Sequence, residues 1–558
     1  MTAPASGLDR EETSDETRDL LAALCAFDRY QASPGLAAAA DILAGRVSAL
    51  GFPVSVDRRR VDGRRSWWTF ESPQPWAPAR ARLVCPGVVA LDETTPCLVA
   101  VHSRATPPGR DHVVVVRLDE AGAPPPPGAL VLVPAKSFRI DALLAASVER
   151  FATDAAARQA PDGAPLRGRI ELPKHAPLTG FSLTRAEFAA LQGTAGRMLE
   201  ASLALDESAD MPVVSWSLPG DRPGEVLLMA HLCHQMPGAN DNASGVAGLV
   251  LASRFLRDRL AHVPPARRRT IRFLSGPEFT GPAAHLHGDG ETPRAPPHAV
   301  IDLDMIGQAA SAGGRFGLER APTADGFALE ALVATALDAA PELAGWRLFP
   351  FHGYSDNAIF AAGPFAAPTV QLCHDRDAYN HTDGDAPERL DLAVLHAAAG
   401  AAARAAAWAA APDLREESSA HAAVRRHRRR CARRVEAVAG RAARAGAEDW
   451  AQAYRAAATA RLVDGGERRE RTPRIRLSGP LDLRGILAAL PPADAAEIAA
   501  ARARDKATLA RLTNGVVALW EGVEPAEATR AASFALEQPF DAGTTALVER
   551  VLHAISRL

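Results

Sequence analysis

Lysine is almost missing from this chain: Lys136, Lys174 and Lys506 are the only three in 558 residues. Arginine carries nearly all the positive charge. With the abundant alanine and proline, this points to the codon usage of a GC-rich genome, and no function is drawn from it. Cysteine is scarce as well. Six residues (25, 85, 97, 233, 373 and 431) are scattered without CxxC spacing, which argues against a disulfide scaffold or a thiolate zinc site and fits a reducing compartment. No window reaches about 18 uninterrupted apolar residues, the length a membrane span needs. The opening MTAPASGLDREETSDETRD is polar and acidic, without the apolar segment of a secretory signal. The expectation is a soluble, cytoplasmic protein with no membrane partner. An excess of either charge is also lacking. The net charge of −3 argues against a dedicated nucleic-acid binder.

What is present is ample apolar material. At 47% hydrophobic a large core can form, and about three domains fit this length at roughly 100–200 residues each. Residues 17–50 read as helical, and FPVSVDRRRV after Gly51 as a strand. From about 82 to 205 short β-like runs alternate with Pro/Gly turns, including Pro124–Pro127, which predicts a β-rich insert. From about 211 to 411 buried strands alternate with helices: EVLLMA (225–230), TIRFLS (270–275), HAVIDLDMI (298–306) and PTVQLC (368–373). Residues 412–465 are Ala/Arg-rich and helical, with Arg425–Arg434 as a solvated helix face or linker rather than a nucleic-acid patch. The fold class expected is mixed α/β. A largely parallel-sheet catalytic domain comprises 1–80 and 206–411, with a β-rich insert at 81–205. A helical linker covers 412–470 and a small C-terminal domain 471–558.

Chemistry gathers at the ends of those strands. After VLLMA comes His231-Leu232-Cys233-His234, then Gly238-Ala239-Asn240-Asp241-Asn242-Ala243-Ser244-Gly245; after IRFLS comes Gly276-Pro277-Glu278-Phe279. Asp302 and Asp304 sit in VIDLDMI, and Tyr379-Asn380-His381 follow TVQLC. Ligands of open α/β sheets bind beyond the carboxyl ends of strands, so these groups converge on one crevice. Imidazole nitrogen and carboxylate oxygen suit Zn²⁺, which acidifies a bound water to a pKa of about 7. Glu278, flanked by turn-forming Gly276, Pro277 and Gly281, is the candidate general base. Tyr379 and Asp356 are candidate substrate contacts, and Asp356 alternatively holds its loop. Asp302 reads as structural, Cys233 as a packed thiol, and Asp385 as the cap of a helix starting near Pro387.

The stretches VVSWSLPGDRPGEVLLMAHLCH, PGANDNASGVAGL, FLSGPEFTG, IDLDMIG, YSDNAIFAAGPFAAPTV and YNHTDGDAPERLD resemble, in order and separation, the M28 family of zinc aminopeptidases. The resemblance is closest to the aminopeptidase-like branch described under the DUF4910 domain, and it covers roughly 210–395. GALVLVPAKSF, with GFSLTRAEFAAL farther on, looks like a protease-associated insert, and the C-terminal stretch is similar to a winged-helix module. The resemblance implies a zinc-exopeptidase-like fold. It implies His231, Asp241 (bridging two metals in the family), Asp304 and His381 as metal ligands, with Glu278 as general base.

Two departures matter. The family shows His-x-Asp where this chain has His231-Leu232-Cys233-His234, so either histidine can be the ligand and the other is idle. It also shows Glu-Glu where this chain has Glu278-Phe279, and phenylalanine cannot ligate. The expectation is one well-held zinc, with a second site weak, absent or rebuilt from other groups. The activity implied is hydrolysis of an amide next to a free amino group of a peptide or aminoacyl substrate. Glutaminyl-cyclase-like aminoacyl transfer, or a peptide-binding protein that has lost catalysis, are the alternatives. Oligomeric state stays open.

Overall fold

The computed structural model describes residues 7–107, 112–117, 128–133, 149–288, 292–375, 377–414, 417–463 and 472–558. The Pro124–Pro127 run and part of GALVLVPAKSF lie outside them. The centre is an eight-stranded sheet: β1 (Val54–Arg59), β2 (Met211–Leu218), β3 (Arg222–His231), β4 (Arg269–Gly276), β5 (Ala299–Leu303), β6 (Arg315–Glu319), β7 (Arg347–Phe349) and β8 (Thr369–Asp375). Its spatial order is β1-β2-β4-β3-β5-β8-β6-β7. The inner four strands, β4-β3-β5-β8, are mutually parallel. The outer strands β1, β2 and β6 run antiparallel to their inner neighbours.

Strand alternation sorts side chains onto two faces. Val226, Leu228 and Ala230 of β3 join the core beneath the helices Pro34–Ala49, Gly245–Leu260, Phe327–Asp338 and Leu392–Ala410. Leu227 and Met229 join the opposite core, around the helix Thr280–His287 and the segment 359–367. Burial on both faces explains the unbroken apolar runs of the inner strands, whereas the edge strand β1 alternates and carries Asp57, Arg58 and Arg59. The chain passes from β3 to β4 on one side and then to β5 on the other. This reversal opens a crevice at the carboxyl ends of β3, β4 and β5.

The helical reading of 17–50 resolves into two helices, Gly7–Cys25 and Pro34–Ala49. Ser33 caps the second by accepting from the Leu36 N–H, with Pro34 in its first turn. Leu392–Ala410 is the one helix among the described residues long and apolar enough to cross a membrane by length and composition. Arg404 interrupts its apolar run, which is why a test for unbroken runs passes over it. Half of it is buried, with its alanine face packed on the helices Gly245–Leu260 and Phe327–Asp338.

A second, seven-stranded sheet is built from residues 77–206 and has its own cores. At the C-terminus five helices, from Leu483–Ala488 to Ala542–Ile555, share a core with Phe351, Ala358 and Ala361 of the catalytic unit. No strand occurs among the described residues there. The region is helical as expected, and no wing of a winged helix is found among the described residues there.

The arginine run lies in the helix Glu417–Arg444, which forms a hairpin with Glu448–Val463. Helical spacing turns His427, Cys431 and Val435 inward while Arg425, Arg426, Arg429 and Arg433 face solvent. The fully buried His427 Nε2 lies 2.9 Å from Glu330 Oε2, with Arg320 on the same oxygen at 3.4 Å. Burial works against charging His427. The Cys431 and Glu330 hydrogen bonds and the Glu330 charge win, and raise its pKa from its usual 6.5 to about 9. Burial raises Glu330, but Arg320 and His427 outweigh it and bring it to about 2. A histidine raised on folding contributes stability that is whole below about pH 6.5 and lost as pH rises through about 9. The depressed glutamate contributes above about pH 4.5 and loses its share as pH falls towards 2. Wild-type protein is therefore expected to lose on the order of 3 kcal/mol between pH 6.5 and 9.5. His427→Gln should lack that alkaline loss, as urea midpoints at the two pH values would show.

Candidate metal centre

Each strand end delivers one part of the site. β3 ends on His231, and the chain then turns through Leu232 and Cys233 to His234. The buried Arg29, just beyond the first helix, holds this turn. Its guanidinium donates to the carbonyls of Leu232 (3.0 Å), Pro237 (3.1 Å) and Gly238 (2.9 Å). The Arg29 and His234 backbones exchange two hydrogen bonds of 2.8 Å. At Gly238 (φ +57°) a Cβ would stand 2.6 Å from His234 Nδ1, so only glycine leaves that ring its place.

The segment Ala239–Ser244 is a tight turn entering the helix Gly245–Leu260, with a cis Asp241–Asn242 peptide. It is braced from outside. Asp385 accepts from the N–H groups of Asn240 (2.7 Å) and Asp241 (3.0 Å). Against expectation, Asp385 therefore does not cap a helix near Pro387; Asp391 caps Leu392–Ala410 instead. The Asn242 side chain bridges the Leu303 carbonyl and the Met305 N–H at the end of β5.

All five sequence-predicted ligand residues meet at Asp241. His231 Nε2 lies 3.2 Å from Asp241 Oδ1 and 3.4 Å from Asp304 Oδ1. On the other oxygen, Asp241 Oδ2, stand His234 Nε2 at 3.2 Å and His381 Nε2 at 3.1 Å. Two ligand triads thus share one carboxylate: His231–Asp241–Asp304 and His234–Asp241–His381. Both histidines of the first motif stand in a triad, where one ligand and one idle ring were expected.

The Nδ1 atoms of His231 and His234 face the carbonyls of Cys233 (2.9 Å) and Gln235 (2.8 Å). A carbonyl only accepts, so each ring carries a proton on Nδ1, and in the neutral ring the Nε2 lone pair then points at carboxylate oxygen. Lone pair facing lone pair in a buried site is unfavourable unless a cation stands between them. His234 Nε2 and Asp304 Oδ1 are accordingly buried without a hydrogen-bond partner. The donor set of imidazole and carboxylate, each imidazole oriented through its second nitrogen, fits zinc. Asn380 donates to Asp241 Oδ2 (2.9 Å) and Gln371 to Asp304 Oδ2 (3.1 Å). Both were missed from sequence, although a glutamine in the apolar strand PTVQLC was a signal available there.

Glu278 follows β4 in a turn, with its N–H on Cys233 Sγ (3.2 Å) and its carbonyl accepting from the Thr280 N–H (2.7 Å). Burial raises its pKa; Asp304 and Asp241 add to this, while His231 opposes it. Phe279 stands at φ +60°, and Met305 and His381, beside or within the triads, are also left-handed. Strain of this kind gathers at functional sites. Phe279 contributes no ligand and packs between two cores. Its N–H donates to the buried Asp356, which also corrects the substrate-contact expectation for Asp356: the carboxylate holds this turn. Burial and the Glu278 charge push Asp356 up, and burial with the Asp356 charge does the same to Asp302, whose Oδ2 accepts from Asn357. Tyr379 is buried beneath Arg389, whose guanidinium sits 4.0 Å from its ring centre.

The insert holds the His381 loop. Arg167 pairs with Asp383 (3.4 Å), the Arg169 N–H donates to the His381 carbonyl (2.8 Å), and Arg158 donates to the Asn380 carbonyl (3.0 Å). No sequence pattern marked these three arginines.

Residues 213–406 match the model of peptidase family M28, a span containing both triads and Glu278. Among solved structures the chain is similar to a candidate peptidase from Clostridium acetobutylicum (16% identity over 72% of this chain and 81% of that one, TM-score 0.52). It is also similar to BSAP, a zinc aminopeptidase from Bacillus subtilis (16% identity, 71% and 94%, TM-score 0.51). At these identities the likeness establishes the fold. A glutaminyl cyclase from Porphyromonas gingivalis aligns at a TM-score of only 0.34. No curated protein matches the sequence. The two triads and Glu278 thus lie within the stretch that matches peptidase family M28.

Proposed function

We propose that this peptidase family M28 domain is a zinc-dependent aminopeptidase-like hydrolase, cutting the amide bond beside a free amino group of a peptide or aminoacyl substrate. The observation that carries the reading is the pair of triads sharing Asp241. His231, Asp241 and Asp304 would hold one ion, and His234, Asp241 and His381 a second, so that His234 supplies what Phe279 cannot. Zinc held there supplies Lewis-acid chemistry, acidifying water and polarising the scissile carbonyl. Glu278 takes one proton from the attacking water and returns it to the departing amine nitrogen as the C–N bond breaks and the water oxygen joins the carbonyl carbon. Asp356, through the Phe279 N–H, keeps the turn carrying that carboxylate in place. The six free thiols support a cytoplasmic setting as part of the same proposal. We read the β-rich insert as the protease-associated type, its role here being to seat the His381 loop.

The test combines metal count and product. Zinc-loaded protein is expected to carry two ions per chain, one for each triad, and His234→Ala to carry one. Peptides with a free amino terminus should be cut and their N-acetylated forms spared, with one ¹⁸O from labelled water in the released acid. A cyclised product without label would replace hydrolysis with aminoacyl transfer. Absence of any zinc-dependent turnover would leave a binding protein.

A further inference from the structure

We infer that the cleft takes substrates bearing a carboxylate close to the scissile amide, and that Arg484 of the C-terminal helical region reads that carboxylate. The inference rests on the metallopeptidase reading and names its substrate class.

Two elements from outside the eight-stranded sheet and its helices approach the site. The insert contributes the strip Gly168–Leu172. Gly168 pairs with Thr382, the Arg169 N–H donates to the carbonyl of His381 (2.8 Å), and the Arg169 guanidinium meets Glu171 at 3.3 Å. The second element is the short helix Leu483–Ala488. Its entry is fixed by the Leu481 N–H on the Ile359 carbonyl (3.1 Å) and by the buried Asp482. Arg484, from that helix, holds its guanidinium 5.4 Å from the ring centre of Phe279, the neighbour of the general base.

The two arginines differ in how they are satisfied. Arg169 has Glu171. Arg484 has no carboxylate within ion-pair distance among the described residues, and it is exposed to solvent. It is nevertheless close enough to act on the site. After Arg169, its charge is the next to oppose burial at Glu171, which falls to about 2, and it also opposes the rise at Glu278. Arg484 therefore stands over the ring that follows Glu278 in the chain, with its guanidinium paired to no carboxylate among the described residues. A guanidinium held against an aromatic face is planar, permanently charged and suited to a carboxylate in a two-pronged contact. Phe279, which forfeits a metal ligand, thereby gains a role as the platform for Arg484.

The carboxylate can come from the C-terminus of the departing residue or from an acidic first side chain. The zinc-loaded full chain would be assayed on two pairs: Leu-Ala against Leu-Ala-amide, and Glu-Ala-amide against Gln-Ala-amide. In wild type, one pair is expected to show kcat/KM higher by about tenfold or more for the carboxylate member, mostly through KM. The pair that splits identifies the source. Arg484→Gln should collapse that ratio to near one, and Arg484→Lys should restore part of it. Ratios near one for both pairs in wild type, or a ratio that survives Arg484→Gln, would overturn the inference. If none of the four compounds is turned over, the peptidase reading fails separately. Calorimetric binding of the same compounds to the zinc-loaded protein then decides the carboxylate reading by the same ratio and its loss in Arg484→Gln.

Discussion

Glu278→Gln is expected to lower turnover by about 10³-fold while leaving the zinc content unchanged, within the 10²–10⁴ range of a positioned general base. The argument is one of placement. Glu278 is no member of either triad, so neutralising it removes no ligand. Its backbone is held at both ends, by Cys233 Sγ at the N–H and by the Thr280 N–H at the carbonyl. Those contacts survive the substitution, so the amide will sit where the carboxylate sat. The amide cannot accept the water's proton, and the barrier rises at that step alone. Paired measurements of zinc by elemental analysis and of kcat on a free-amine peptide check this. A variant with wild-type turnover would remove Glu278 from the mechanism. A variant that lost zinc would make it a ligand or a structural support.

How far the site was legible before the fold was seen depends on where each group lies in the chain. The inner strands declared themselves as apolar runs because both of their faces are buried, and the polar groups after each run marked their carboxyl ends. That His231, Asp241, Asp304 and His381 come together was therefore legible in the sequence. That His234 would join Asp241 alongside His231 was not, because the turn that places it there is shaped by Arg29, about two hundred residues earlier, and by the left-handed Gly238. Asp385 and Asp356 misled for a related reason. Each was read by its neighbours in sequence as a cap or a substrate contact, yet each spends its carboxylate on backbone N–H groups far away in the chain, Asn240 and Asp241 for one and Phe279 for the other. Arg169 and Arg484 had no local signal at all. Solvated arginines are everywhere in this sequence, and only the docking of the insert and the C-terminal helices singles these two out.

Asp241→Asn should be the most damaging single change, removing both ions and with them essentially all turnover. The carboxylate is the only group common to the two triads, with one oxygen serving His231 and the other serving His234 and His381. An asparagine of the same shape keeps one acceptor oxygen but replaces the other with an NH₂ that can bind no cation. It also removes the one negative charge that both ions share. Zinc chemistry is worth several kcal/mol of transition-state charge stabilisation, and at 1.36 kcal/mol per tenfold its loss corresponds to about 10³-fold or more in rate. The loss should not be a folding defect. The Asp241 N–H bond to Asp385 is made by backbone, and the Arg29, Asp385 and Asn242 contacts that shape the turn do not involve the Asp241 side chain. The metal-free wild type and the metal-free variant are accordingly expected to melt within a few degrees of each other, while added zinc should raise the melting temperature of the wild type alone. A variant stabilised by zinc as strongly as the wild type would mean that the ions are held without the shared carboxylate, and the two-triad arrangement would have to be abandoned.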